Sequence, residues 1–174
     1  MTAAAAVVLT VLLIAEGLTL VGGVGRFLTP HVFIGLLLVP PVLLKIGSTG
    51  WRMVSYYRGV EDYVRRGPPH PFLRLLVGPL LVVSTVVMFA SGIGAAWVGH
   101  GGLLLGLHKA SFVVWGWTLG IHFLAHLPKL PRAVRPDRRY VLVLAAVAVG
   151  VVVAFAGLPL AHHWHGFDFS AGDE

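Results

Sequence analysis

The sequence contains no cysteine. This absence excludes disulfides, thiolate metal sites, cysteine-ligated iron–sulfur clusters and covalently attached c-type haem. Charged residues are also scarce, at 11% of the 174 residues, whereas 57% are hydrophobic. The mean hydropathy is +0.86. A chain with so little polar surface cannot cover a water-soluble globule, so the composition predicts an integral membrane protein.

Acidic residues are few, seven against 13 basic ones, which gives a net charge of +6. Six basic residues lie from Lys45 to Arg74 and five from Lys129 to Arg139. Lys and Arg concentrate in the cytoplasmic loops of membrane proteins. The clustering therefore indicates membrane topology and not a nucleic-acid partner.

Five apolar segments are long enough to cross a hydrocarbon core of about 30 Å, which takes about 20 helical residues. They cover residues 3–22, 32–57, 72–98, 103–127 and 140–160. Backbone polar groups must be paired internally in lipid, so each segment is predicted to be a helix. The predicted fold is all-α: one transmembrane domain over residues 1–174 with about five spans, and a histidine-rich tail at 161–174. No basic residue precedes the first apolar run, so we interpret it as a retained span and not a signal peptide.

The short link between the third and fourth segments contains GHGG and neither Lys, Arg nor a carboxylate. It is therefore predicted to lie outside, while the basic links between segments two and three and between segments four and five lie inside. This orientation places the N-terminus in the cytoplasm and the tail outside the plasma membrane. Arg26, in the first outer link, is the exception.

Two histidines of the fourth segment have an informative spacing. His108 and His122 are fourteen residues apart, which separates them by ~21 Å along a helix and returns them to nearly the same face. Electron transfer across a bilayer needs two redox centres at about this separation, and haem b with two imidazole ligands is one solution. One helix would then supply a ligand near each membrane surface.

Each iron needs a second ligand from a facing helix. His31, at the outer start of the second segment, lies at the depth of His108 and is its predicted partner. Fourteen residues after His31 comes Lys45, which can ligate iron as a neutral amine, hold a haem propionate or extend to the inner surface. His126, one turn after His122, and His70, in the proline-rich link, are further candidates for the inner site.

Glycines accompany these histidines. Gly35 on the second segment and Gly116 and Gly120 on the fourth would let a flat macrocycle approach the helix backbones. Small residues also serve ordinary helix packing in membranes, and this reading stays open beside the first.

The C-terminal tail is rich in metal-ligating side chains. His162, His163, His165 and Asp168 fall within the segment HHWHGFD. Imidazole and carboxylate at this density are candidates for binding copper or zinc. A solvated tail without a specific site is the alternative.

From His31 to Arg74, and in LLLGLHKASFVVWGWTLGIHFLAHLPKL, the sequence resembles the small cytochrome b-type membrane proteins, cytochrome b/b6 or b561-like. The resemblance covers the second to fourth segments. It implies a four-helix haem bundle that serves as the membrane partner of a redox enzyme, with haem b held by His31 and His108 and an inner haem held by His122. Lys45 stands where a fourth histidine would complete two equivalent pairs.

The expected function is transmembrane electron transfer through one or two b-type haems, between a quinone or cytoplasmic donor and an outer-face redox partner. The chain is expected to be an electron-transfer subunit, and its partners to be membrane lipid, a quinone, and a redox enzyme or a second copy of itself. The alternatives are a haem-free accessory or assembly subunit, and a metal transporter that uses the outer histidines. Glu16 is the only carboxylate within a predicted span, which disfavours a proton-coupled transporter.

Overall fold

The computed structural model describes residues 2–65, 71–99, 102–127 and 140–164, with side chains from residue 6 onward. The elements in these ranges are helical, and none of the described residues lies in a β-strand. The helices are α1 (Thr2–Val21), α2 (Leu28–Tyr57), the single turn α3 (Glu61–Val64), α4 (Gly78–Val98), α5 (Leu103–His126) and α6 (Tyr140–Gly157). A π-helical segment, Leu73–Val77, leads into α4, and a 3₁₀ helix, Leu158–Trp164, follows α6. The all-α prediction is confirmed.

Three stretches are long and apolar enough to cross a membrane: Leu28–Tyr57, Leu73–Val98 and Tyr140–Trp164. In α1, the apolar run Ala6–Val21 is shorter. The 24 residues of α5 reach the necessary length, but its histidines and Lys109 lower its hydropathy. The membrane character predicted from composition is thus supported at three helices, while a total of five spans stays a prediction.

The long helices form two groups. In the first group, α2 packs against both α1 and α6, around Val143 and around a cluster of Leu36, Leu37 and Ala154. In the second group, α4 packs along α5. Direct packing of α2 on α4 covers only a short stretch. The fold therefore leaves space between the two groups.

Glycines set the closest approach within the first group. A Cβ on Gly150 would overlap the carbonyl oxygen of Leu37, and one on Gly157 would overlap the side chain of Leu36. Helices in lipid associate by close van der Waals contact between small residues and their neighbours. Gly150 and Gly157 therefore allow α6 to lie directly on α2.

The 3₁₀ helix joins the two groups at one end, because it packs on both α2 and α4. Trp164 is 5% exposed and lies in a cluster with Ala95 of α4 and Leu105 of α5. Leu28, at the start of α2, packs on the same cluster. The apolar indole thus closes the bundle beside the first turn of α2.

The π-helical turn before α4 has a local cause. Pro79 lacks a backbone N–H and its ring would collide with the carbonyl four residues earlier in a regular helix. A wider turn at Leu73–Val77 relieves this collision.

Candidate functional site

A cavity of about 2240 Å³ lies between the two helix groups. Protein interiors pack as densely as organic crystals, and pockets for small molecules usually measure about 300–1,000 Å³. This cavity is more than twice the upper value, so it has room for one or two flat macrocycles. His31, Lys45, His108, His122 and His126 all line it.

His31 and His108 meet across the cavity from opposite helix groups. Their ring centroids are 6.2 Å apart and their ring planes are inclined by 75°. A metal-bound imidazole nitrogen lies about 2 Å from its ion, so two rings on opposite sides of one iron have centroids roughly 6 Å apart. The predicted pairing of His31 with His108 is thus compatible with an iron between the rings. We call this region, with Glu16, the His31 end of the cavity.

The His108 ring is fixed by α4. Its Nδ1 donates a hydrogen bond to the carbonyl oxygen of Met88 at 2.8 Å, which leaves Nε2 as the nitrogen without a proton. A Cβ on Gly92 would stand 2.8 Å from ring atoms of His108. Gly92 therefore provides the space through which the imidazole crosses α4.

The His31 ring is fixed by α1. Its Nδ1 lies 2.6 Å from Oε1 of Glu16, and the two side chains are 18% and 15% exposed. The Thr19 hydroxyl, 3.3 Å from the same nitrogen, also donates to the Glu16 carbonyl oxygen at 2.6 Å. A carboxylate behind a metal-binding imidazole selects its tautomer and increases its basicity. His31 thus presents Nε2 as its ligating atom, as His108 does.

The Lys45 end of the cavity, lined by Lys45, His122 and His126, is organised differently. The rings of His122 and His126 stack with centroids 4.4 Å apart and planes inclined by 25°. His126 Nδ1 donates to the carbonyl oxygen of His122 at 2.9 Å. Two stacked rings from one helix cannot occupy opposite sides of one iron. Only one of them can be an axial ligand, and its partner must come from another helix.

Lys45 of α2 lies near this histidine pair. Lys45 and His126 are both near enough to His122 for electrostatic interaction, and all three residues line the cavity. His122 Nδ1 is buried and has no hydrogen-bond partner among the described residues. Buried imidazole nitrogens are normally paired, so this atom is one observation that fits a bound group at this end. His70, the other inner candidate, lies outside the described residues.

Three predicted glycines line the cavity wall, Gly35 on α2 and Gly116 and Gly120 on α5. A Cβ at Gly116 or Gly120 would meet no atom within 4 Å, and one at Gly35 would reach only Oε1 of Glu16 at 4.0 Å. Helix packing therefore does not fill the space beside these glycines. Their open surface fits the flat group predicted from the sequence.

The tail residues are partly outside the described chain, since the description ends at residue 164 and omits His165 and Asp168. His162 is exposed. His163 donates from Nδ1 to the Ala96 carbonyl oxygen at 3.3 Å and so docks the 3₁₀ helix on α4. Within the described ranges no group of three or more His, Asp or Glu side chains is placed to hold a metal ion. A haem iron needs only two protein ligands, so this finding does not bear on the histidine pair.

Sequence reasoning did not assign Glu16, Gly92 or Arg74 to the site. Glu16 carried a usable signal, because a lone carboxylate in an apolar helix needs a partner. Gly92 is one of 22 glycines and carries no such signal. Arg74 is one of the six basic residues between positions 45 and 74, and their spacing does not single it out.

No protein-family model, curated protein or solved structure matches this chain. The interpretation of the site therefore depends on the geometry of its own residues.

Proposed function

We propose that this chain is a membrane cytochrome b that conducts electrons between the two surfaces of the bilayer. The observation that carries the proposal is the pair His31 and His108, 6.2 Å apart across the cavity, with both Nδ1 atoms engaged. Paired histidines with fixed tautomers are what bis-imidazole ligation of haem requires. Ordinary interhelical hydrogen bonding would not need the large cavity that surrounds them.

The chain would hold and orient the haem groups. His31 and His108 would hold a haem iron at one end of the cavity, and His122 with Lys45 would hold one at the other. The walls are mainly apolar, and Gly35, Gly116 and Gly120 would leave room for the flat faces of the macrocycles. Haem supplies one-electron transfer when bound, and the protein tunes its potential through the axial ligands and their hydrogen bonds.

The orientation is part of the proposal. With the basic links on the cytoplasmic side, the Lys45 end lies towards the cytoplasm and the His31 end towards the outside. Electrons from a quinone or a cytoplasmic donor would enter at the Lys45 end and leave from the His31 end to an outer-face redox partner. The spacing of ~21 Å from His108 to His122 along α5 separates the two centres across the membrane.

A difference spectrum tests the proposal. The full chain, purified in detergent, is expected to show sharp α and β bands in the dithionite-reduced minus oxidised spectrum, and pyridine extraction should yield one or two haems b per chain. A colourless preparation without extractable haem contradicts the cytochrome function. That result would favour a haem-free accessory subunit whose histidines only join helices.

A further inference from the structure

Basic side chains converge on the Lys45 end of the cavity from two helices. Lys45 and Arg52 of α2 and Arg74 of the π-helical turn all line it, together with Tyr56 and Tyr63. Lys45 and Arg52 are near enough for the charge of Arg52 to act on Lys45. Two guanidinium groups and one amine therefore line the same largely apolar cavity; Arg74 and Lys45 are half-buried and Arg52 is exposed.

The guanidinium of Arg74 contacts an aromatic ring, and among the described residues it forms no ion pair with a carboxylate. Its Cζ lies 5.6 Å from the centroid of the Tyr57 ring, an arrangement that orients the planar group by cation–π attraction. Its Nε is buried and has no hydrogen-bond partner among the described residues. A buried guanidinium N–H is costly to leave unpaired, so this atom indicates a missing acceptor.

The acidic residues of the described chain do not supply that acceptor. Glu16 lines the cavity at its other end, where it pairs with His31. Glu61 pairs with the exposed Arg65 on the protein surface. Asp62 is exposed and is not among the residues that line the cavity.

Membrane topology alone does not account for this arrangement. Basic residues that only fix the orientation of a membrane protein need to lie near the cytoplasmic surface, as the exposed Arg58 does without lining the cavity. Arg74 instead lines the cavity and is partly buried. Its placement is better explained by a negative group inside the cavity.

We propose that the Lys45 end of the cavity is a binding site for an oxyanion, a carboxylate or phosphate group accepted mainly by Arg74 with support from Arg52. The planar guanidinium can donate two parallel hydrogen bonds to such a group. Two sources have this chemistry: the propionates of a haem at this end, which rests on the proposed function, and the phosphate of an anionic lipid, which does not.

The test uses the full chain in nanodiscs with the variants Arg74→Gln, Arg74→Lys and the control Arg58→Gln. The first measurement is the rate at which bound haem transfers to added apomyoglobin. The second is native mass spectrometry of phosphatidylglycerol retained from nanodiscs that contain phosphatidylglycerol and phosphatidylcholine. Circular dichroism melting establishes that each variant is folded.

If propionates are the source, Arg74→Gln speeds the release of one haem about tenfold, Arg74→Lys has a smaller effect, and Arg58→Gln has none. If lipid phosphate is the source, haem release is unchanged and Arg74→Gln loses the retained phosphatidylglycerol. A folded Arg74→Gln protein that behaves as wild type in both measurements overturns the site. A wild-type protein without haem contradicts the proposed function, and the lipid measurement alone then decides whether the oxyanion site exists.

Discussion

The two ends of the cavity hold their histidines in different ways. At the His31 end, one imidazole comes from each helix group, and each Nδ1 is bonded to an acceptor on a further helix. At the Lys45 end, both imidazoles come from α5 and stack on each other, with a lysine on α2. Lys45 follows His31, and His122 follows His108, by the same fourteen residues. The two ends are nevertheless not equivalent sites, because different groups surround and hydrogen-bond the candidate ligands.

This difference leads to different roles for the two ends. The His31 end has a preorganised ligand pair, in which positions and tautomers are set by the protein. At the Lys45 end, His122 Nδ1 and Arg74 Nε are buried without a hydrogen-bond partner among the described residues, as is Oε2 of Glu16 at the His31 end. We therefore expect the first end to bind haem through its axial ligands, and the second to depend more on interactions around the macrocycle.

Replacing His108 gives the largest expected effect. His108→Ala removes one of two preorganised axial ligands, so the protein should lose the haem of the His31 end completely while any haem at the Lys45 end is kept. Pyridine extraction gives the haem per chain, and His162→Ala, at an exposed histidine, is the matched control. Full haem content in His108→Ala would refute this ligand assignment.

Gly92→Leu tests the same pair without removing an imidazole. A side chain at Gly92 would collide with the His108 ring and shift it away from His31, so haem content should again fall. Gly106→Ala, on α5, is the control because a Cβ there meets no atom within 4 Å. Normal haem content in Gly92→Leu would mean that haem binding does not depend on the position of the His108 ring against α4.

The stacked pair offers a second, smaller comparison. His122→Ala should remove the haem of the Lys45 end, whereas His126→Ala should keep it, because the buried Nδ1 of His122 has no hydrogen-bond partner among the described residues. Haem content and the low-temperature α-band of each variant separate the two outcomes. The reverse result would make His126 the axial ligand.

Parts of this picture were predictable from the sequence. The five apolar segments each correspond to a long helix, because hydrophobic length is a local property of the chain. The facing of His31 and His108 followed from similar depth on two helices. The stacking of His122 on His126 also follows from a four-residue separation on a helix, although its consequence for ligation needs the ring geometry.

Other parts depend on which helices are neighbours, and the spacing of residues along the sequence does not specify this. The contact of Glu16 with His31 requires α1 to pack on α2, and the fit of His108 over Gly92 requires the register of α5 against α4. The contact of Arg74 with Tyr57 requires α2 to lie beside the π-helical turn. Each of these is a tertiary relation between residues whose local patterns allow several arrangements.

Glu16→Gln gives the smallest expected effect and the finest test of the difference between the ends. The carboxylate that accepts the Nδ1–H of His31 makes the imidazole a stronger donor and so favours oxidised iron. A neutral amide should raise the midpoint potential of the His31-end haem by about 60 mV, which equals about a tenfold change in a one-electron equilibrium constant. Haem content should stay unchanged, since the axial nitrogen is still present.

An optically monitored redox titration measures both haems in one sample, so the Lys45-end haem serves as an internal reference. Its potential should stay constant, because Glu16 lines the opposite end of the cavity. Thr19→Val is the matched control: it removes a neutral hydroxyl 3.3 Å from the same nitrogen and should shift the potential less. If Glu16→Gln leaves the potential of the His31-end haem unchanged, the carboxylate only positions the His31 ring. The protein would then not influence the midpoint potential more strongly at the His31 end than at the Lys45 end.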